Sequence, residues 1–236
     1  MLAALARACG LAQEISFGLL PDEPVYVAWQ EEADLLLQVL RGQLPAITVD
    51  INRQASAELP RGVAVLSGAF NPLHGGHLQL AHVAGQILDR PVYFELSVRN
   101  VDKPPLLEAD VRQRLGQFFG RGAVIVTREP LFEKKAGLLP DSVFVVGYDT
   151  ATRLVHPRYY GDDYQAMLSS LRAIRDAGCR FLVAGRLIEG RFRTLDDVPV
   201  PPEFADLFSP ISPDLFRADL SSTELRERYA DAAWDV

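Results

Sequence analysis

Four histidines occur in the 236 residues of this chain, and two of them stand three apart in the stretch GAFNPLHGGH, residues 68–77. His74 and His77 share a face if a helix begins here, because residues three apart on a helix are neighbours. The stretch follows the apolar run VAVL (63–66), so the local pattern is strand, loop, helix. Gly68 allows the backbone to approach a ligand closely, and Pro72 stiffens the loop. A helix starting at this point aims its unpaired N–H groups and its positive dipole end where the imidazoles point, which favours an anion such as phosphate. Competing readings are a capping histidine beside a packed one, or a metal pair. A metal pair lacks a glutamate between the two histidines, and His82 lies about 140° round the helix from His77. No metal ligand is therefore assigned. A Gly-Lys-Ser/Thr phosphate loop and a G-x-G-x-x-G turn are both absent after this strand.

Such a site needs a scaffold, and the pattern after residue 62 supplies one. The predicted strands are 63–66, 91–97, 123–127, 142–148 and 180–185, separated by helical spacing over 76–89, 106–120, 131–139 and 162–178. Near-continuous apolar strands alternating with helices imply a parallel sheet covered on both faces. The expected class is α/β: a Rossmann-like, doubly wound parallel sheet of about five strands, with ligands beyond the carboxyl ends of the strands. Residues 1–60 differ in texture. They hold two short helical stretches and a proline-containing connector over 43–60, and read as an N-terminal arm or partial domain ahead of a main domain at 61–236.

Composition limits the partners. Hydrophobic residues make up 48% and charged residues 23%, as in an ordinary globular protein, and 24 basic against 31 acidic residues give a net charge of −7. That balance provides no global basic field for nucleic acid or an anionic membrane, so contacts to a phosphate-rich ligand must be local. Two cysteines, Cys9 and Cys179, are too few for a disulfide framework and fit a reducing compartment. No apolar run approaches the ~18 residues of a membrane span, and Arg7 interrupts the apolar N-terminus, so the cytoplasm is expected. A homo-oligomer is compatible with all of this.

The stretch GAFNPLHGGH resembles the (H/T)-x-G-H signature of the nucleotidyltransferase superfamily. LSSTELR (220–226) is similar to that superfamily's I-S-S-T-x-I-R motif, about 145 residues further on. Alone, the second stretch reads as a capped terminal helix, with Ser221 or Ser222 as the cap. Together they imply transfer of a nucleoside monophosphate from a triphosphate to a phosphate-bearing acceptor. The resemblance implies catalytic roles for His74, His77 and Arg226, and nucleotide contacts from Gly68, Ala69, Phe70, Ser221, Ser222 and Thr223. Mg²⁺ would accompany ATP as co-substrate, held by phosphate oxygens and water.

Within the superfamily, the opening of the first motif most resembles nicotinamide or nicotinate mononucleotide adenylyltransferases. VVGYDT (145–150) is similar to their G-x-D element, which implies that Asp149 contacts nucleotide hydroxyls. Asn71, Lys103 and Tyr148 are carried over as acceptor contacts, with Tyr159 and Tyr160 as further candidates to stack on an acceptor ring. Arg112 or Arg114 occupies the place of a family arginine. The implied partners are ATP and a pyridine mononucleotide. The alternatives are a CTP-dependent transfer to another phosphorylated acceptor, and a nucleotide-binding regulator without turnover. Ala69 replaces a common Ser or Thr, which removes a hydroxyl contact.

Overall fold

The computed structural model describes residues 34–99 and 104–217. The parallel core runs through β3 (Ala64–Ser67), β4 (Val92–Ser97), β5 (Val124–Thr127), β6 (Val143–Gly147), β7 (Arg180–Ala184) and β10 (Phe208–Pro210). These strands lie in the order β10-β7-β6-β3-β4-β5, each parallel to its neighbour. From β3 the chain winds outward to β5, then crosses back to lay β6 on the other side of β3. That reversal between β3 and β6 is the topological switch point, where an open α/β sheet has its crevice.

Alternation along each strand builds the two faces. Ala64, Leu66, Phe94, Leu96, Val124, Val126 and Val145 join one apolar cluster, with residues of α1 (Leu35–Arg41), α2 (Gly75–Leu88) and α3 (Glu108–Gly116). Val65, Ile125, Phe144, Val146, Phe181 and Val183 join the other. Its helices are α4 (Phe132–Leu138), α5 (Tyr148–Leu154) and α6 (Tyr164–Asp176). Burial on both faces is why these strands read as unbroken apolar runs. All five expected strands and the four expected helices are present, with ends shifted by a few residues. No helix among the described residues is long and apolar enough to cross a membrane.

The sheet is larger than expected, with eight strands among the described residues. β1 (Ala46–Val49) pairs antiparallel with β5, and β2 (Ala55–Ser56) pairs antiparallel with β1. Both lie inside the segment expected to be a connector. On the opposite edge β10 follows β7, where Phe208 stacks on Phe181 at 5.0 Å. A two-stranded hairpin, β8 (Arg186–Ile188) with β9 (Arg191–Arg193), forms a separate sheet.

Residues 34–60 thus pack in one compact unit with the residues that follow, β1 and β2 being part of its sheet. The attachment is specific. Asp34 caps α1 by accepting from the Leu37 N–H at 3.2 Å, and Gly42 closes the helix at φ +81°. Arg128, just beyond β5, donates to the last carbonyls of α1, Val39 at 2.9 Å and Leu40 at 2.6 Å. A cation on the carbonyl end of a helix both satisfies those groups and complements the dipole. Ile47 of β1 is fully buried. Ile47→Ala is expected to lower unfolding stability in urea by about 2–5 kcal/mol. An unchanged denaturation midpoint would return this segment to the status of an appendage.

Candidate active site

The loop leaving β3 is held from beneath. Phe70 is 1% exposed and adopts φ +46°. Its ring meets Phe94 at 5.5 Å, Phe118 at 5.1 Å and His77 at 5.1 Å, each edge to face. Gly68 is required by that packing, since a Cβ there would lie 2.8 Å from the Phe70 ring. The Asn71–Pro72 peptide is cis. The Gln117 side chain, just past α3, accepts from the Leu73 N–H at 2.8 Å and donates to the Phe70 carbonyl at 3.1 Å. Arg114 of α3 donates to the Ala69 carbonyl at 2.9 Å. Loop and helix thus form one rigid rim.

His74 is the N-cap of α2, and its backbone N–H donates to His77 Nδ1 at 3.3 Å. The two rings lie 3.8 Å apart, tilted by 30°. Gly76 leaves room for this arrangement, because a Cβ would come within 3.1 Å of His74 Nδ1. Burial pushes the His77 pKa down to about 4, and the neighbouring His74 adds to the shift. Burial also lowers the pKa of His74. A ring nitrogen that accepts carries no proton, so neutral His77 keeps its proton on Nε2. It is therefore a hydrogen-bond donor of fixed tautomer beside a helix N-terminus.

A cavity of about 460 Å³ opens at the carboxyl ends of β3 to β5, next to this loop. Gly68, Ala69 and Asn71 line it on the loop side, and Tyr159 and Tyr160 on the other. Four of its described lining residues are cationic (Arg99, Arg114, Arg153 and Lys135), while Glu95 is the single acid. A chain of net charge −7 therefore concentrates positive charge at its crevice.

The model of the cytidylyltransferase-like family matches residues 65–228. The chain belongs to the cytidylyltransferase-like family. Comparison with curated proteins gives no match. The span of the cytidylyltransferase-like match opens in β3, at the foot of the histidine loop, and closes beyond the LSSTELR segment.

The structure sorts the expected residues. His74, His77, Gly68, Ala69 and Asn71 gather around the loop that rims the cavity. Phe70 does not reach it: the ring is a core plug, and only its backbone belongs to the loop. Tyr148 is half-buried against the apolar cluster of the α4–α6 face and does not line the cavity. Asp149 forms an ion pair with Arg186 of the β8–β9 hairpin. Arg112 is paired with Asp34 and Glu108, which leaves Arg114 as the cavity-side arginine. Lys103, Ser221, Ser222, Thr223 and Arg226 lie outside the described residues. Sequence reading missed Gln117, Glu95, Lys135 and Arg153. One signal was available: Glu95 is a lone acid inside the apolar run VYFELS, where a charge is rarely buried without a partner.

The depressed pKa of His77 has a measurable sign. The group is neutral in both states above the usual 6.5, so folding is then free of its burial penalty. As pH falls from 6.5 toward about 4, the unfolded chain takes up a proton that the folded chain refuses, and up to about 3 kcal/mol of stability is lost. NMR titration of the free protein should show the His77 ring titrating near pH 4. A midpoint near 6.5 would contradict the buried, neutral ring.

Proposed function

We propose that this cytidylyltransferase-like protein transfers AMP from ATP to nicotinamide or nicotinate mononucleotide and releases pyrophosphate. The observation that carries the reading is the juxtaposition at the switch point. A donor histidine pair at a helix N-terminus closes the loop whose Gly68, Ala69 and Asn71 line a cavity with a cationic rim and tyrosine wall. One half suits a triphosphate, and the other suits an acceptor with an anionic phosphate and a flat ring.

In the proposed step an oxygen of the acceptor phosphate attacks the α-phosphorus of ATP in line. The new phosphorus–oxygen bond forms as the bond to the β-phosphate bridging oxygen breaks, and pyrophosphate departs with that electron pair. No covalent enzyme nucleophile is needed, so the chain supplies positioning and charge stabilisation. His77 Nε2–H and the first N–H groups of α2 donate to phosphate oxygens, with His74 beside them. Gly68 and Ala69 bring backbone close, as the nucleotide-binding role requires. Arg114 and Arg153 face the acceptor phosphate, and Asn71 lies between the two halves. Tyr159 offers a ring for stacking, with the Arg153 guanidinium 5.7 Å from its centre. Tyr160 is committed elsewhere, its hydroxyl donating to the Leu154 carbonyl at 3.0 Å. The motif resemblance assigns Arg226 and the Ser221–Thr223 segment to the outer phosphates, Lys103 to the acceptor side and Asp149 to a nucleotide hydroxyl. Among the described residues no group of three His, Cys, Asp or Glu side chains could hold a metal. Mg²⁺ would arrive on the triphosphate, where it screens charge.

The family description favours a second reading, in which CTP replaces ATP and another phosphorylated compound accepts the nucleotide. Pyrophosphate release with ATP or CTP against a panel of acceptor phosphates, both pyridine mononucleotides included, separates the two. ATP with a pyridine mononucleotide is the expected productive pair, and nucleotide binding without any turnover would indicate a regulator. Replacing His77 by alanine should lower turnover by about 100-fold or more while the circular dichroism spectrum is kept, as for other lost transition-state donors. Activity at the wild-type level would remove the histidine from the mechanism.

A further inference from the structure

The buried side of the cavity holds an ion pair that the transfer step does not use. Glu95 is 1% exposed and Lys135 5%, yet both line the cavity. Lys135 Nζ donates to Glu95 Oε2 at 2.7 Å, and Thr127 Oγ1 donates to Glu95 Oε1 at 2.6 Å. The Phe132 ring sits 4.7 Å from the ammonium. Ser67, the register partner of Glu95 on the neighbouring strand, also lines the cavity. Its buried hydroxyl has no hydrogen-bond partner among the described residues.

Burial is graded across the cavity. Arg99 and Arg153 are exposed and Arg114 is half-buried, whereas Glu95, Lys135 and Ser170 are buried. An anionic phosphate is therefore satisfied near the rim, where the arginines keep their charge in reach of water. The opposite end of a bound acceptor meets a floor whose two charges cancel. Hydrogen-bonding capacity remains there: an ammonium has three donors, each carboxylate oxygen has two acceptor sites, and the Ser67 hydroxyl offers both. A carboxamide can accept from Lys135 or Ser67 and donate to Glu95. A carboxylate in the same place would bury a second anion beside Glu95, at the low effective dielectric of an interior.

We infer that Glu95, Lys135 and Ser67 select the acceptor, favouring a phosphorylated compound whose far end is a neutral donor–acceptor group such as a carboxamide over its carboxylate counterpart. The inference rests on the acceptor reading of this cavity given above. Glu95 and Lys135 are specificity determinants in it, remote from the reacting phosphates.

The test is pyrophosphate release by the full chain with ATP and either nicotinamide or nicotinate mononucleotide. Wild type is expected to favour the amide by about tenfold or more in kcat/KM, well within the discrimination a hydrogen-bonding site can reach. Glu95→Gln keeps the volume but leaves Lys135 uncompensated, so it should shift that ratio by about tenfold or more toward the acid. A wild-type preference for the acid, or an unchanged ratio in Glu95→Gln, overturns the selection role while the pyridine mononucleotide reading stands. Turnover of neither acceptor overturns that reading and this inference with it. If Glu95→Gln does not fold, the wild-type ratio still decides. The double substitution Glu95→Gln with Lys135→Met, neutral and near-constant in volume, removes the anion that disfavours the acid, so the amide preference should fall below the wild-type value, and a wild-type ratio there overturns the inference.

Discussion

Phe70 stands at φ +46°, in a region that costs a bulky L-residue about 1–2 kcal/mol, and three edge-on aromatic rings hold it there. Most of the site geometry follows from that plug. It turns the chain sharply at the end of β3, so that Asn71 and Pro72 face outward while Leu73 returns to the core. It forces glycine at position 68, because the ring occupies the space of a Cβ. It also gives His77 a wall, which contributes to the burial that keeps that imidazole neutral. Gln117 secures the result by satisfying backbone groups on either side of the turn. A strained residue that is over-determined by its surroundings gives a rigid loop, and a rigid loop is what transition-state donors require.

The parallel core was legible in the sequence because both faces of each strand are buried. Val63 to Leu66 and Val124 to Thr127 show no polar alternation, and such runs separated by amphipathic helices permit few architectures. The histidine loop was legible for a different reason: its residue types are rare at that spacing. The edge strands were not. Ala46–Val49 is four residues long, follows a proline and borders a polar hairpin, and its pairing with β5 bridges some 80 positions. Arg128, which ties α1 to the sheet, looks in sequence like any surface arginine. Local pattern carries no information about a partner that far away.

The side-chain assignments divide along the same line. Gly68, Ala69 and Asn71 reach the rim because backbone position follows from strand and loop order. Phe70 and Tyr148 were read as ligand contacts from their place in a motif, but the direction of a ring is set by packing. The Phe70 ring is buried in one apolar cluster, and Tyr148 packs half-buried against the other. Glu95 and Lys135 lie 40 residues apart on a strand and a helix, and only the fold makes them a pair. Buried ion pairs are poor sources of stability compared with apolar packing of the same volume. Such a pair beside a cavity is easier to account for through ligand recognition than through the core.

Charge in the crevice is distributed in a way that suits a reaction between two anions. Fully cationic walls would hold triphosphate and acceptor tightly in the ground state, which lowers KM without lowering the barrier. Here Arg99 and Arg153 stand exposed at the cavity and Arg114 reaches back to the Ala69 carbonyl, while the N-terminus of α2 presents imidazoles of lowered pKa and backbone N–H groups. A neutral donor interacts modestly with a spread-out triphosphate and more strongly as charge grows on one bridging oxygen, so its contribution is weighted toward the transition state.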